Sequence, residues 1–562
     1  MKRPKIFILG LDGASPELIA CLRAEGRLPN ISAMIKDGVF TKLETTVPSL
    51  SAVAWASFMT GMNPGRHGVF DGWDFEYQRD VSYRKMPLGA ARIRSRANLL
   101  WDILCRHNLF PVVLEPMCIG PAYPLNGILE AGHSTVKTGP DQHAVWPPGM
   151  RDLYLKSAGA SDFPAGCEIH PFRPGKFKRD ADKTIYLIKN SGFDFFFVWL
   201  NWLDGVQHHW WRHEDASHPF HALAAAESHA GGEATKIITK YYELADTFIG
   251  NIRESLPPDT IFVIMSDHGF SAVHSYFYLN RLFYDHGLLK LRDGRAARRG
   301  VGVRRIRLRN LPGAGRLARS QRVVPYLSIG LADDAFIPAL DPLYQPFETI
   351  DWRRTRAFAV TCGVRLNVKD REPAGTIDPG DDYSRLRDEI AELLRGRLDP
   401  RSGEPVCTVR YPEEVYDGPF TARAPDLIVS DVERTKVHIR PDLDCLPYRN
   451  QYEPALWLSG SHLGDQPGVM ISAGPGIRHV SSAIDAHITD IAPTMLYLLG
   501  VPAPSDTDGK VLTDIIEPGT VKELGEPRTI DYPLISDERP ADAAEEVDEE
   551  TIRHLRGLGY IA

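Results

Sequence analysis

Lys5-Ile6-Phe7-Ile8-Leu9-Gly10-Leu11-Asp12-Gly13 decides how the rest of this chain is read. After Lys5 the run is apolar on every residue, then stops at an aspartate flanked by glycines. A strand buried on one face alternates apolar and polar residues. A strand buried on both faces, as in a covered parallel sheet, does not. The same shape recurs. Phe193 to Leu200 runs into Asn201-Trp202-Leu203-Asp204, and Thr260 to Met265 runs into Ser266-Asp267-His268-Gly269. Shorter apolar runs lie at 111–115 and 468–472, with helical patterns at 16–25, 29–37, 94–107, 234–255 and 487–499. Alternation of this kind predicts an α/β fold: a mainly parallel central sheet with helices on both faces.

At 562 residues the chain is long enough for three or four units of ~150 residues. Its 43% hydrophobic content is too high for a disordered chain. A net charge of −8 argues against a dedicated nucleic-acid binder. No run reaches the ~18 apolar residues of a membrane span. The apolar stretch near the N-terminus is too short for a secretory signal. Seven scattered cysteines without a CxxC pair fit a reducing compartment, so a cytoplasmic location is expected.

The spacing predicts four segments. Residues 1–288 form the first part of a catalytic core and 456–535 its second part. Between them, 289–455 form an inserted α+β cap or substrate domain, with a helix at 383–397. The insertion opens on a basic loop, 290–322, with twelve Lys or Arg against Asp293 alone. That loop reads as a solvated segment or as an anion- or membrane-surface patch. Residues 536–562 form an acidic tail with a short helix expected at 551–556.

The strand ends carry the chemistry. In open α/β sheets, ligands gather at the carboxyl edge. Asp12 there is either a hard-metal ligand or a cap for the helix starting near Ser15. Ser51 opens a helical stretch. It is either a plain N-cap or a hydroxyl placed where helix N–H groups can hold a phosphoryl oxygen. Asp204 and His208, four apart, share one helical face, so one metal can bind both. Asp267-His268 and the Gly460-Ser461-His462-Leu463-Gly464 run complete the set. Three Asp, three His and a hydroxyl can make two N/O metal sites of the kind zinc accepts, and manganese as well.

In this order, Asp12, Ser51, Asp204-x-x-x-His208, Asp267-His268 and His462 resemble the alkaline phosphatase superfamily. More narrowly they resemble its type I phosphodiesterase and nucleotide pyrophosphatase branch and the related phosphohydrolases and phosphomutases. The resemblance implies two divalent metals, both expected to be Zn²⁺, with Mn²⁺ the alternative that an Asp/His set also accepts. Asp204, His208 and His462 would hold one. Asp12, Asp267, His268 and the Ser51 oxygen would hold the other. It implies a metal-dependent phosphoric ester hydrolase of phosphodiesterase or nucleotide pyrophosphatase type. Ser51 would be the nucleophile, and water would resolve the phosphoserine intermediate.

The chain departs from that branch in two places. Ser51-Ala52-Val53-Ala54 stands where Thr-x-Pro-Asn is common. His67-Gly68 is followed by Val69-Phe70-Asp71-Gly72, without an asparagine. The Ala52 N–H is then a candidate phosphoryl contact, and Asn201 and Arg371 are candidate substrate contacts. The expected partner is a small-molecule phosphate ester, with a diester or nucleotide-like one favoured over a monoester. A phosphomutase or phosphomonoesterase on the same scaffold is the alternative, and a non-catalytic binding protein a third.

Overall fold

The computed structural model describes residues 3–77, 83–87, 89–132, 145–148, 156–161, 176–224, 236–292, 347–361, 363–443, 446, 450–455, 458–480 and 484–535. The basic loop beyond Arg292, the acidic tail and its expected helix lie outside them.

Among the described residues eight strands form the main sheet. They are β1 (Lys5–Leu11), β2 (Val39–Leu43), β3 (Pro111–Leu114), β4 (Ile128–Glu130), β5 (Val145–Trp146), β6 (Phe195–Leu200), β7 (Thr260–Met265) and β8 (Gly468–Ala473). Their order is β2-β8-β7-β1-β6-β3-β4-β5. β1 lies parallel between β6 and β7, with Leu11 beside Leu200 and Gly10 beside Met265. Three strands therefore end level, and the residues following each one meet at a single edge. β8 runs against β7 and β2. Its start lies at that same edge, so the segment entering it delivers His462 there.

The continuous hydrophobicity of β1 has the expected cause. Ile6 and Ile8 face one core, with Trp55, Phe58, Trp101, Ile491 and Met495. Phe7, Leu9 and Leu11 face the other, with Ile19, Ile31, Ile185, Tyr241 and Phe248. All five strand residues are buried, each contributing about 2 kcal/mol relative to exposure.

The chain leaves the main sheet after β7 and rejoins it at β8. Between them a four-stranded antiparallel sheet (Ala357–Val360, Gly363–Leu366, Leu427–Asp431, Cys407–Arg410) and a helix, Asp381–Arg395, build a separate core. The helix expected at 94–107 is confined to Leu100–Arg106, with a shorter one, Ala90–Arg94, before it. The intervening turn lets Ala97 and Leu99 bury completely. Among the described residues no helix is long and apolar enough to cross a membrane, and Cys21, Cys105, Cys118 and Cys407 are free thiols.

Candidate active site

Backbone hydrogen bonds stitch the strand ends together. The Asp12 N–H donates to Leu200 O at 3.0 Å, and Asp12 O accepts from the Asp204 N–H at 3.1 Å. Gly13, at φ +72°, turns the chain in the left-handed region that glycine tolerates. Its N–H donates to Asp267 Oδ1 at 3.2 Å. Helices α1 (Ser51–Thr60) and α2 (Trp202–Glu214) start at this edge. The short strand Gly460–Ser461 pairs with Ser271–Ala272 and sets His462 beside His268, their rings 4.2 Å apart.

Neither Asp12 nor Ser51 is a helix cap. Ser15, not Asp12, caps the first helix, by accepting from the Leu18 N–H. Leu50 occupies the N-cap of α1, and Ser51 is its first helical residue. Its Oγ turns away from the helix, donating to Asp12 Oδ1 at 3.3 Å and lying 3.1 Å from His268 Nε2.

Two groups of side chains have ligand atoms close enough to share an ion: Asp204, His208 and His462, and Asp12, Asp204 and His268. Asp204 belongs to both. Asp267 lies beside the second, its Oδ2 3.2 Å from His268 Nε2. His208 Nε2 is likewise 3.2 Å from Asp204 Oδ1. Neither carboxylate oxygen makes a well-directed hydrogen bond, although both are buried. Two ligands on a tetrahedral ion with bonds of ~2.0–2.1 Å stand about 3.3 Å apart, so both pairs are spaced as co-ligands. The other ring nitrogens are engaged: His208 Nδ1 with Gly460 O at 2.9 Å, His268 Nδ1 with Gly269 O at 3.0 Å. Donation from Nδ1 leaves the Nε2 lone pair for a cation. The residues present therefore fit divalent metals of the zinc or manganese kind.

The electrostatics agree. Burial, then the neighbouring Asp267 and Asp204 carboxylates, pushes the Asp12 carboxyl well above its usual range. Burial alone would raise Asp204 too, but His208 beside it holds it low. Burial and the flanking His268 and His208 push His462 well down, so it stays neutral. Asp12, Asp204 and Asp267 crowd three carboxylates together, and bound cations would favour the ionised form of each.

The remaining expected contacts fall differently. Ala52 is buried at the second position of α1, where helix N–H groups lack intrahelical partners. Asn201 precedes α2 without capping it through its side chain. Arg371 is tied to its neighbours between β7 and β8. Its guanidinium donates to both Asp426 oxygens at 2.7 and 2.9 Å, to Glu372 Oε1 at 2.6 Å and to Leu366 O at 2.6 Å. That geometry gives the expected substrate contact no support. Sequence reasoning missed Gln207, whose Nε2 donates to Gly13 O at 2.8 Å while its Oε1 accepts from Tyr242. It also missed Trp199, whose indole reaches Asp12. No sequence signal separates either from ordinary core.

The family model of type I phosphodiesterase/nucleotide pyrophosphatase matches residues 6–455. The chain belongs to that family. It is a hydrolase of phosphoric ester bonds, in a family of two-metal enzymes. The family match ends before His462, which the fold nonetheless delivers to the cluster. No curated protein sequence matches the chain. Among solved structures, it is similar to human ectonucleotide pyrophosphatase/phosphodiesterase 5, at 14% identity and TM-score 0.48, covering 91% of this chain and 100% of that one. The murine counterpart, an inactive form in complex with AMP, matches at 12% identity and TM-score 0.50, covering 92% and 100%. The murine match shows a shared fold.

Proposed function

We propose that this family member cleaves a phosphodiester or nucleotide-like pyrophosphate bond at a two-metal site, with Ser51 as nucleophile. The carrying observation is the position of Ser51 Oγ, between Asp12 Oδ1 and His268 Nε2. Asp204, His208 and His462 would hold one ion, and Asp12, Asp267 and His268 the other. When bound, two such ions supply Lewis-acid stabilisation of phosphoryl charge and lower the pKa of a coordinated hydroxyl. Ser51 Oγ forms a bond to phosphorus as the ester oxygen leaves. Water then cleaves the Ser51–phosphorus ester and frees the hydroxyl. The start of α1 offers N–H groups, that of Ala52 among them, to the phosphoryl oxygens. A nucleotide-like substrate is supported by the AMP bound to the murine neighbour.

The test compares bis(p-nitrophenyl) phosphate, p-nitrophenyl phosphate and a dinucleoside pyrophosphate as substrates of the zinc-loaded chain. Acid quench and peptide mass spectrometry then look for the adduct. Preference for diester or pyrophosphate with an adduct on Ser51 is expected. Exclusive monoesterase activity would overturn the substrate reading, and an adduct elsewhere the nucleophile.

A further inference from the structure

Asp12 is gripped on one oxygen by two tryptophans. Trp55 Nε1, from α1, and Trp199 Nε1, from β6, each donate to Asp12 Oδ2 at 3.0 Å. Oδ1 of the same carboxylate faces the other way, 3.3 Å from Ser51 Oγ and 3.6 Å from His268 Nε2. The aspartate's last torsion is soft and nearly two-fold. Without a restraint, a carboxylate beside cations can swing, chelate through both oxygens or exchange one for the other. Two N–H groups from separate elements on one oxygen fix the carboxylate plane and leave one oxygen to ligate.

The donors themselves cannot drift. Trp55 is 1% exposed and packs edge-on against Phe58 at 5.7 Å, and Trp199 is 4% exposed. A Cβ on Gly10 would stand 2.7 Å from Trp55 Cη2. The bare glycine near the end of β1 is thus what admits the ring. The choice of donor also matters electrostatically. An indole N–H stabilises the carboxylate while adding no charge. A lysine or arginine in the same place would neutralise Asp12 and repel a cation.

We propose that Trp55 and Trp199 are positioning residues that restrict Asp12 to a one-oxygen ligand, keeping Oδ1 aligned with Ser51 Oγ and the metal shared with His268. The inference rests on the two-metal reading above.

The test uses the full chain with Trp55→Phe, Trp199→Phe and the double variant, which keep an aromatic ring and lose the N–H. Zinc is titrated against a chromophoric chelator, with thermal unfolding as the folding control. Each single variant is expected to weaken one of two zinc sites by roughly ten-fold and the double by roughly a hundred-fold, the range seen when groups supporting a ligand are removed. The other site should keep its affinity. On a nitrophenyl diester, kcat should fall with KM moving less than about two-fold. If a phenylalanine variant does not fold, 3-benzothienylalanine at that position keeps the bicyclic shape, removes only the N–H and is held to the same expectation. Two zinc ions bound with unchanged affinity by a folded double variant would overturn the inference. Failure of the unaltered chain to bind zinc in the same titration would instead overturn the metal reading.

Discussion

The Asp204 N–H donates to the carbonyl of Asp12 at 3.1 Å, and the carboxylates of the same two residues stand in one candidate metal group. This bond joins the turn after β1 to the first turn of α2. The backbone that sets the ligand spacing is thus itself hydrogen-bonded across the site. Asp204 is also the residue common to both groups.

That shared position makes Asp204 and His462 unequal. Asp204→Asn should deplete both metal sites, because it removes a ligand from one ion and a neighbouring negative charge from the other. His462→Ala should deplete only the group it shares with Asp204 and His208. Elemental analysis after dialysis checks this. Equal stoichiometry in the two variants would mean that Asp204 serves one ion.

Ser51→Ala should lower kcat by ~10³-fold or more, because the covalent route disappears. Zinc binding should largely survive, since protein ligands remain for each ion. Near-normal turnover would pass the nucleophile's role to water or to Ser49, whose Oγ donates to His462 O at 3.2 Å.

Chelation should abolish activity, and Zn²⁺ or Mn²⁺ should restore it. Removing the ions should also lower Tm, since a ligand at a hundred times its Kd stabilises by about 2.7 kcal/mol. A chelated enzyme with full activity and unchanged Tm would remove the metals from the mechanism.

The legible parts of this fold are those where one physical effect dominates. β1 and β7 match their expected limits because burial on both faces leaves no polar position to blur the run. Asp12, Asp204, Asp267 and His268 are legible because charged residues at the ends of buried strands have few other reasons to be there. β4 has only three residues, too short for any period. Trp199 sits inside an apolar run and reads as core. Where its N–H points is set by the packing of α1 against β6, which the local sequence does not encode. Arg371 shows the opposite case. A cation after a strand looks available until its partners, Asp426 and Glu372, fold beside it.

Arg371→Ala should therefore destabilise the segment between β7 and β8. It leaves Asp426, 2% exposed as a side chain, without its bidentate partner. The arginine is 34% exposed, so the loss should fall near the low end for a buried pair, about 3 kcal/mol. Denaturant unfolding measures it. Activity on a small nitrophenyl ester and on a nucleotide pyrophosphate should fall together. A selective rise in KM for the larger substrate would restore Arg371 to the substrate site.

His67 supplies a pH signature away from the metal cluster. It is fully buried, its Nε2 lies 2.9 Å from Ser57 Oγ, and its Nδ1 accepts the Val69 N–H at 3.1 Å. A proton on Nδ1 would confront that N–H with another donor. Burial, with Arg96 adding a smaller push, accordingly takes the imidazole from 6.5 down to about 3. The folded state thus rejects a proton that the unfolded chain accepts below pH 6.5. The stabilisation is complete above pH 6.5 and is lost as pH falls toward about 3, at about 1.4 kcal/mol per pH unit. By pH 4.5 the loss should be about 3 kcal/mol from this residue. His67→Gln keeps an acceptor and a donor but cannot titrate. Its stability between pH 7 and 4.5, measured by urea unfolding, should therefore fall less steeply than that of the unaltered chain, by the equivalent of about one proton. Parallel slopes in the two proteins would assign the acid sensitivity to other groups.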